Sequence, residues 1–203
     1  ENSQARERTQ ILMDYANKTG GMVLGTGSLS EIALGWATYN GDHMSMYAIN
    51  SGVPKTLVAS LVRWIANKHT KETAKEVLLD ILDTPFSPEL LPADKEGKIA
   101  QETEHFVGPY ELHDFFIYRM LRHNDEPQRI YFIAQQAFKN SYSSEEILKW
   151  LKVFYRRFFS QQFKRSCMPD GPKVGAINLS PRASWLMPSD AMATVWLDDL
   201  EKL

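Results

Sequence analysis

The chain is poor in the features that staple, anchor or steer a protein. It has one cysteine, Cys167, in 203 residues. No internal disulfide can form, which suits a reducing cytosol and a cytoplasmic protein. No apolar run approaches the roughly 18 residues needed to span a bilayer, so no membrane contact is expected. No signal-peptide pattern is present, because Glu1 leads straight into a charged segment. Charge is nearly balanced, with Lys plus Arg 23 against Asp plus Glu 25, and no global field points to nucleic acid. The five histidines, at 43, 69, 105, 113 and 123, lack metal-ligand spacing, which argues against zinc. Cys167 has no nearby histidine and no catalytic signature, so an inert thiol is expected. There is no internal repeat and no low-complexity tract. The chain has no initiator methionine and opens in mid-motif, the look of a fragment or a single domain.

What is present suits one sizeable domain, or the larger part of one, at 43% hydrophobic residues. Helical spacing of Ile11, Leu12, Tyr15 and Ala16 predicts a helix over 3–18, stopped by Gly20 and Gly21. The short apolar run 22–24 reads as a buried parallel strand. Gly25-Thr26-Gly27 then turns the chain into a helix over about 30–38. Strand, glycine turn and helix is the α/β pattern that gathers backbone N–H groups at a strand's carboxyl end. Asn40-Gly41-Asp42 is a turn. Leu57, Val58, Leu61, Val62 and Ile65 share one face of a helix over 54–68, and another helix follows over about 71–82. Periodicity vanishes over 83–107, predicting a long loop of the kind that is often functional. Three helices follow, the first with Pro109 at its first helical position and the second opened by Pro127. The third starts at a capping box, Ser143 to Glu146, and runs to about 163. The proline-rich tail should be mostly extended, with a short helix near 191–202. The class is therefore α/β, helix-rich with few strands.

The chemistry concentrates in 25–55. Gly25-Thr26-Gly27 is not a Walker A loop, because no Lys-Ser/Thr follows. It is either a structural turn or a site where Thr26 and nearby N–H groups hold a phosphate or ribose. Ser28-Leu29-Ser30-Glu31 fits a capping box, with Glu31 reaching back to Ser28. Glu31 is equally a hard oxygen ligand for Mg2+ or a partner for a substrate hydroxyl. Trp36 is either a core residue or a flat platform for a pyridine or purine ring. Asp42 either finishes its turn or does chemistry. Lys55 falls in the first turn of a helix, where the dipole disfavours a cation unless an anion sits there too. The run 150–165 mixes aromatic and basic residues, yet Ile147, Leu148, Leu151, Phe154, Tyr155, Phe158 and Gln162 trace one helical face, which reads as core rather than as an RNA platform.

Seven segments in order carry a resemblance: ENSQARER, GTGSLSEIALGWATYNGDHMSMY, VPKTL, SPELLP, QETEHFVGPYELHDFF, FKRS and GPKVGAINLSPR with PSD. Together they span essentially the whole chain, and the chain resembles the C-terminal part of the synthetase domain of glutamine-dependent NAD+ synthetases. That resemblance implies an adenine-nucleotide α-hydrolase-like, Rossmann-like domain over 1–203. It implies an enzyme that adenylates the nicotinate carboxylate of deamido-NAD+ with ATP, releasing pyrophosphate. Ammonia then attacks the mixed anhydride and AMP leaves. It further implies Mg2+, a homo-oligomer, and a separate nitrilase-like glutaminase domain that supplies the ammonia. By the same resemblance Asn2 and Arg6 contact deamido-NAD+, Thr26 contacts ATP, and Glu31 binds the dinucleotide or the nearby magnesium. Trp36, Ala37, Thr38 and Tyr39 line the nicotinate pocket, and Asp42 sits by the reacting amide. Lys55 and Ser87 hold ATP phosphates, and Lys173 contacts the deamido-NAD+ end. The family's phosphate loop, SGGxDS, is absent from these residues, so the chain alone is expected to be inactive. The competing readings are another amidating ATP pyrophosphatase, such as a GMP synthetase relative, and a non-catalytic docking module.

Overall fold

Helix α7, Ser144–Ser160, forms the centre of the computed structural model, which describes residues 1–84 and 106–203. Ser143 and Glu146 close the expected capping box, and Ile147, Trp150, Leu151, Phe154, Tyr155, Phe158 and Phe159 are buried along the helix. The aromatic run is thus core. Around it pack α5 (Tyr110–His123), α6 (Pro127–Ala137), α9 (Thr194–Glu201) and the short α2 (Leu29–Leu34). The third predicted helix ends earlier than its periodicity suggests. Gln161 interrupts it, and Gln162–Arg165 forms a separate turn, α8.

Helix α1, Asn2–Thr19, ends on left-handed Gly20, as the sequence predicts. Strand β1 (Leu24–Gly25) lies parallel to β2 (Tyr47–Ala48), with Leu24 opposite Tyr47 and Gly25 opposite Ala48. Helix α2 lies in the chain between these two parallel strands, so this is a helix-rich α/β fold with a small sheet. The strand differs from the expected buried run over 22–24. It starts at Leu24, and Met22 and Leu24 are both more than half exposed. Helix α2 also stops short of 38. Gly35 adopts φ 59° against Gln161, and a side chain there would collide with it.

The pair α3 (Lys55–Lys68) and α4 (Glu72–Asp83) packs together and joins the rest through α5 and α2. Pro54 and Pro109 stand just outside α3 and α5 with extended ψ, so each helix begins one residue later than a first-position proline would place it. The predicted loop over 83–107 falls largely outside the described residues, as does Ser87. Among the described residues no helix is long and apolar enough to cross a membrane.

Candidate functional site

The segment after β1 leads into α2, and Glu31 there serves two purposes. Its Oε2 accepts from the Ser28 N–H at 2.8 Å and the Ser28 hydroxyl at 2.9 Å, completing the capping box. Its Oε1 accepts from Lys55 Nζ at 3.0 Å, with both side chains about one-fifth exposed. The cation in the first turn of α3 therefore has its anion in Glu31, which offsets the unfavourable dipole. Lys55 Nζ also stands 5.9 Å from the ring centre of Tyr110.

The N-terminus of α3 has no cap from its own Pro54. Instead Lys55 N–H donates to Ser30 Oγ at 2.8 Å, and Thr56 N–H donates to Asp114 Oδ2 at 3.0 Å. The Thr56 hydroxyl donates to the same oxygen at 2.7 Å, and the Ser30 hydroxyl donates to Asp114 Oδ1. Burial pushes the Asp114 carboxyl above the usual range; these hydrogen bonds pull it down, and Glu31 pushes it up.

Beyond α2 the chain turns through Trp36, Ala37, Thr38 and Tyr39 to Asp42. Asp42 Oδ1 accepts from Thr38 N–H at 2.6 Å. Helix α1 reaches this segment from the far side. Thr38 Oγ1 donates to Asn2 Oδ1 at 3.1 Å, and Arg6 Nε donates to the Tyr39 carbonyl at 3.2 Å. Ala5 packs under Gly41, where a side chain would crowd both Ala5 and Thr38. Two segments far apart in sequence, both picked out as substrate contacts, thus form one surface.

Three cations from α7 and α8 hold the carbonyls at the C-terminal end of α2 and just beyond. Arg157 Nε donates to Leu34 O at 2.9 Å, and Arg165 donates to Ala33 O at 2.7 Å and Ile32 O at 3.3 Å. Lys164 Nζ donates to Gly35 O at 2.8 Å and Ala37 O at 2.7 Å, on either side of Trp36. The Arg157 guanidinium also sits 5.2 Å from the Trp36 ring centre. Their placement gathers positive charge beneath the Trp36 turn, and burial opposes that charge, lowering the pKa of all three, to about 9 for Arg165.

One expectation fails. Cys167 does have a nearby histidine: His43 Nε2 lies 3.3 Å from its Sγ, while His43 Nδ1 donates to Thr38 O at 3.0 Å. The two residues are 124 positions apart, so no sequence spacing could show the contact. Burial lowers the His43 pKa, with Thr38 and Asp42 acting against it. The role of Lys164 is equally hidden in the sequence, since it lies at the end of a run that reads as core and its acceptors are 129 and 127 positions away. Thr26 is exposed beyond β1, its carbonyl 3.4 Å from Asn50 Nδ2. Lys173 is exposed on a stretch that crosses 48–52, where Gly52 and Gly171 permit close backbone approach. Neither is joined to the other two clusters by a hydrogen bond. Among the described residues no three His, Cys, Asp or Glu side chains converge on a metal position, and both Glu31 oxygens are engaged.

A family model described as NAD synthase matches residues 1–153. The chain is 48% identical, over an alignment 224 positions long, to the glutamine-dependent NAD(+) synthetase of Mycobacterium leprae, covering 100% of this chain and 32% of that protein. The same enzyme from Mycobacterium tuberculosis H37Rv is 46% identical with the same coverage. That of Synechocystis is 30% identical over 188 residues, covering 93% of this chain and 29% of the relative. The chain thus spans about a third of the length of the curated relatives it matches. The crystal structure of a glutamine-dependent NAD(+) synthetase from Cytophaga hutchinsonii aligns with a TM-score of 0.75 at 21% identity, over 98% of this chain and 30% of that one, and shares its fold.

Proposed function

This chain belongs to the NAD synthase family, and on that premise we propose that it is the C-terminal part of a synthetase domain that amidates deamido-NAD+ to NAD+ with ATP. The observation that carries this reading is the meeting of Asn2 and Arg6 with Thr38 and Tyr39, around Trp36 and beside Asp42. This surface offers an aromatic platform, donors for a dinucleotide, and a cationic floor for an anionic acid.

In the first step a nicotinate carboxylate oxygen attacks the α-phosphorus of ATP and pyrophosphate leaves. Two anions must approach, so fixed positive charge lowers the barrier most. Lys55 faces the phosphates, steadied by Glu31, with Thr26 and Ser87 as further ATP contacts; Ser87 lies outside the described residues. Lys164 and Arg157 offset charge under the nicotinate ring, and Lys173 contacts the far end of the dinucleotide. In the second step ammonia attacks the acyl carbon and AMP leaves. Asp42 uses Oδ1 to hold the Thr38 N–H, which leaves Oδ2 to take the proton shed by the nitrogen. The engaged oxygens of Glu31 do not fit a metal held by the chain itself, so neither step is routed through Mg2+. Ammonia comes from glutamine through a nitrilase-like domain elsewhere in the complete protein, which works as a homo-oligomer.

The test supplies the complete protein with ATP, ammonium and either deamido-NAD+ or xanthylate. The expected result is NAD+ and AMP in equal amounts, with xanthylate untouched. Amidation of xanthylate with no NAD+ formed would assign a different ATP pyrophosphatase. Failure to bind any of these nucleotides would leave a docking module.

A further inference from the structure

Asp114 belongs to neither cluster of nucleotide contacts, yet its carboxylate touches both helices that carry the Glu31–Lys55 pair. Ser30 immediately precedes Glu31, and Thr56 immediately follows Lys55. Asp114 holds Ser30 on Oδ1 and Thr56 on Oδ2, from a third helix. Ser30 Oγ accepts from the Lys55 N–H and, toward an ionised Asp114, donates its own proton to Oδ1. Thr56 N–H can only donate. An ionised carboxylate satisfies every donor, whereas an amide would turn an N–H toward another donor.

We propose that Asp114 is a positioning residue that sets the reach of the Lys55 amine toward Glu31 and, on the reading above, toward the ATP phosphates. Local capping chemistry would not need it. A serine or aspartate in place of Pro54 would cap α3 from within the chain. The tie from α5 instead fixes α2 and α3 against each other at the point where Glu31 meets Lys55. Burial makes the ionised carboxylate costly at this position, so a substitution that neutralises it removes that cost while losing the register.

The test compares the complete protein with its Asp114→Asn variant by three readouts. The first is the acetylation rate of Lys55 by a water-soluble acetyl ester, read by peptide mass spectrometry against exposed Lys18 and Lys68 as internal standards. The second is the thermal midpoint. The third is kcat and KM for pyrophosphate release. Expected are Lys55 acetylation at least about threefold faster relative to the standards, an unchanged or higher midpoint, and kcat about tenfold lower, or roughly 1.4 kcal/mol, with KM for deamido-NAD+ unchanged. If Asp114→Asn does not fold, Ser30→Ala breaks the same link from α2 and carries the same expectations for Lys55 acetylation and kcat. Unchanged Lys55 labelling overturns the proposal. So does labelling that rises equally at all three lysines with a lowered midpoint, which marks a merely structural tie. Selective Lys55 labelling in a protein that makes no NAD+ upholds the role of Asp114 and overturns the nucleotide reading instead.

Discussion

Trp36 has one ring face engaged by the Arg157 guanidinium and part of its edge against the core, and it remains only partly buried. Its partial exposure leaves room for the proposed stacking role beside its packing role. Trp36→Leu should weaken deamido-NAD+ binding by about 0.5–1.5 kcal/mol through lost stacking. Lost packing should lower stability by less than the few kcal/mol of a fully buried ring. Titration calorimetry and urea unfolding measure the two effects. Native affinity with a large stability loss would remove 36–39 from the site. His113 gives a pH prediction. It is fully buried, its Nε2 donates to the Val107 carbonyl, and burial holds its pKa down to about 4 from 6.5, with Arg157 adding to the effect. The fold favours neutral imidazole, so the unfolded chain takes the proton first as pH falls. Stability from this residue is full above about 6.5 and falls by about 3 kcal/mol toward pH 4. Urea unfolding at pH 7 and 4.5 should show that slope in the native protein and lose it in His113→Gln. An equal slope in both would assign the acid sensitivity to other groups.

At the scale of elements, what was legible in the sequence is what is local. Both capping boxes and the buried face of α7 follow from spacing within a few turns, and the structure has them where the spacing puts them. The two-residue strands were poorly legible, because so short a pairing leaves no alternation to read; β2 gave no sign at all. The site divides the same way. Asn2, Arg6, Thr38 and Tyr39 were singled out by the family resemblance and Asp42 by its turn as well, and the structure joins them by hydrogen bonds. Lys164, Arg157, Asp114 and the His43–Cys167 contact depend on pairings between distant segments, which no window of sequence contains. Helix α2 shows why those pairings matter. Its six residues are too few to hold a helix in water, and neighbours fix both ends. Arg165 is the most buried of its supports, with Phe158 O and Gln162 Oε1 as further acceptors. Arg165→Leu should destabilise the protein by about 3 kcal/mol, since charge-assisted bonds are lost and buried carbonyls are left without donors. Unfolding by urea checks this, and a loss below about 1 kcal/mol would show that α2 does not need the guanidinium.

At the scale of the molecule, large apolar side chains stand exposed on three helices among the described residues. Ile11, Leu12 and Tyr15 on α1, Leu57, Leu61 and Trp64 on α3, and Val77 and Ile81 on α4 are all at least two-fifths exposed. The face of α3 that periodicity marks as core is thus largely open among the described residues. The 203-residue chain alone should therefore self-associate above its 23.3 kDa mass in sedimentation and form little or no NAD+ from deamido-NAD+, ATP and ammonium. Adenylation depends on oriented phosphates, and the SGGxDS cradle is not in this sequence. A monodisperse monomer, or turnover equal to that of the complete protein, would overturn this. The clamp on α2 also sets an order in time. A ribosome releases 25–55 long before it releases Arg157, Lys164 and Arg165, and α2 cannot persist without them. The surface formed by 36–42 therefore has no settled shape until α7 and α8 are released. It forms only once 157–165 have emerged, so a nascent chain halted before Arg157 already carries Asn2, Arg6, Thr38 and Tyr39 and has no settled surface on which they meet.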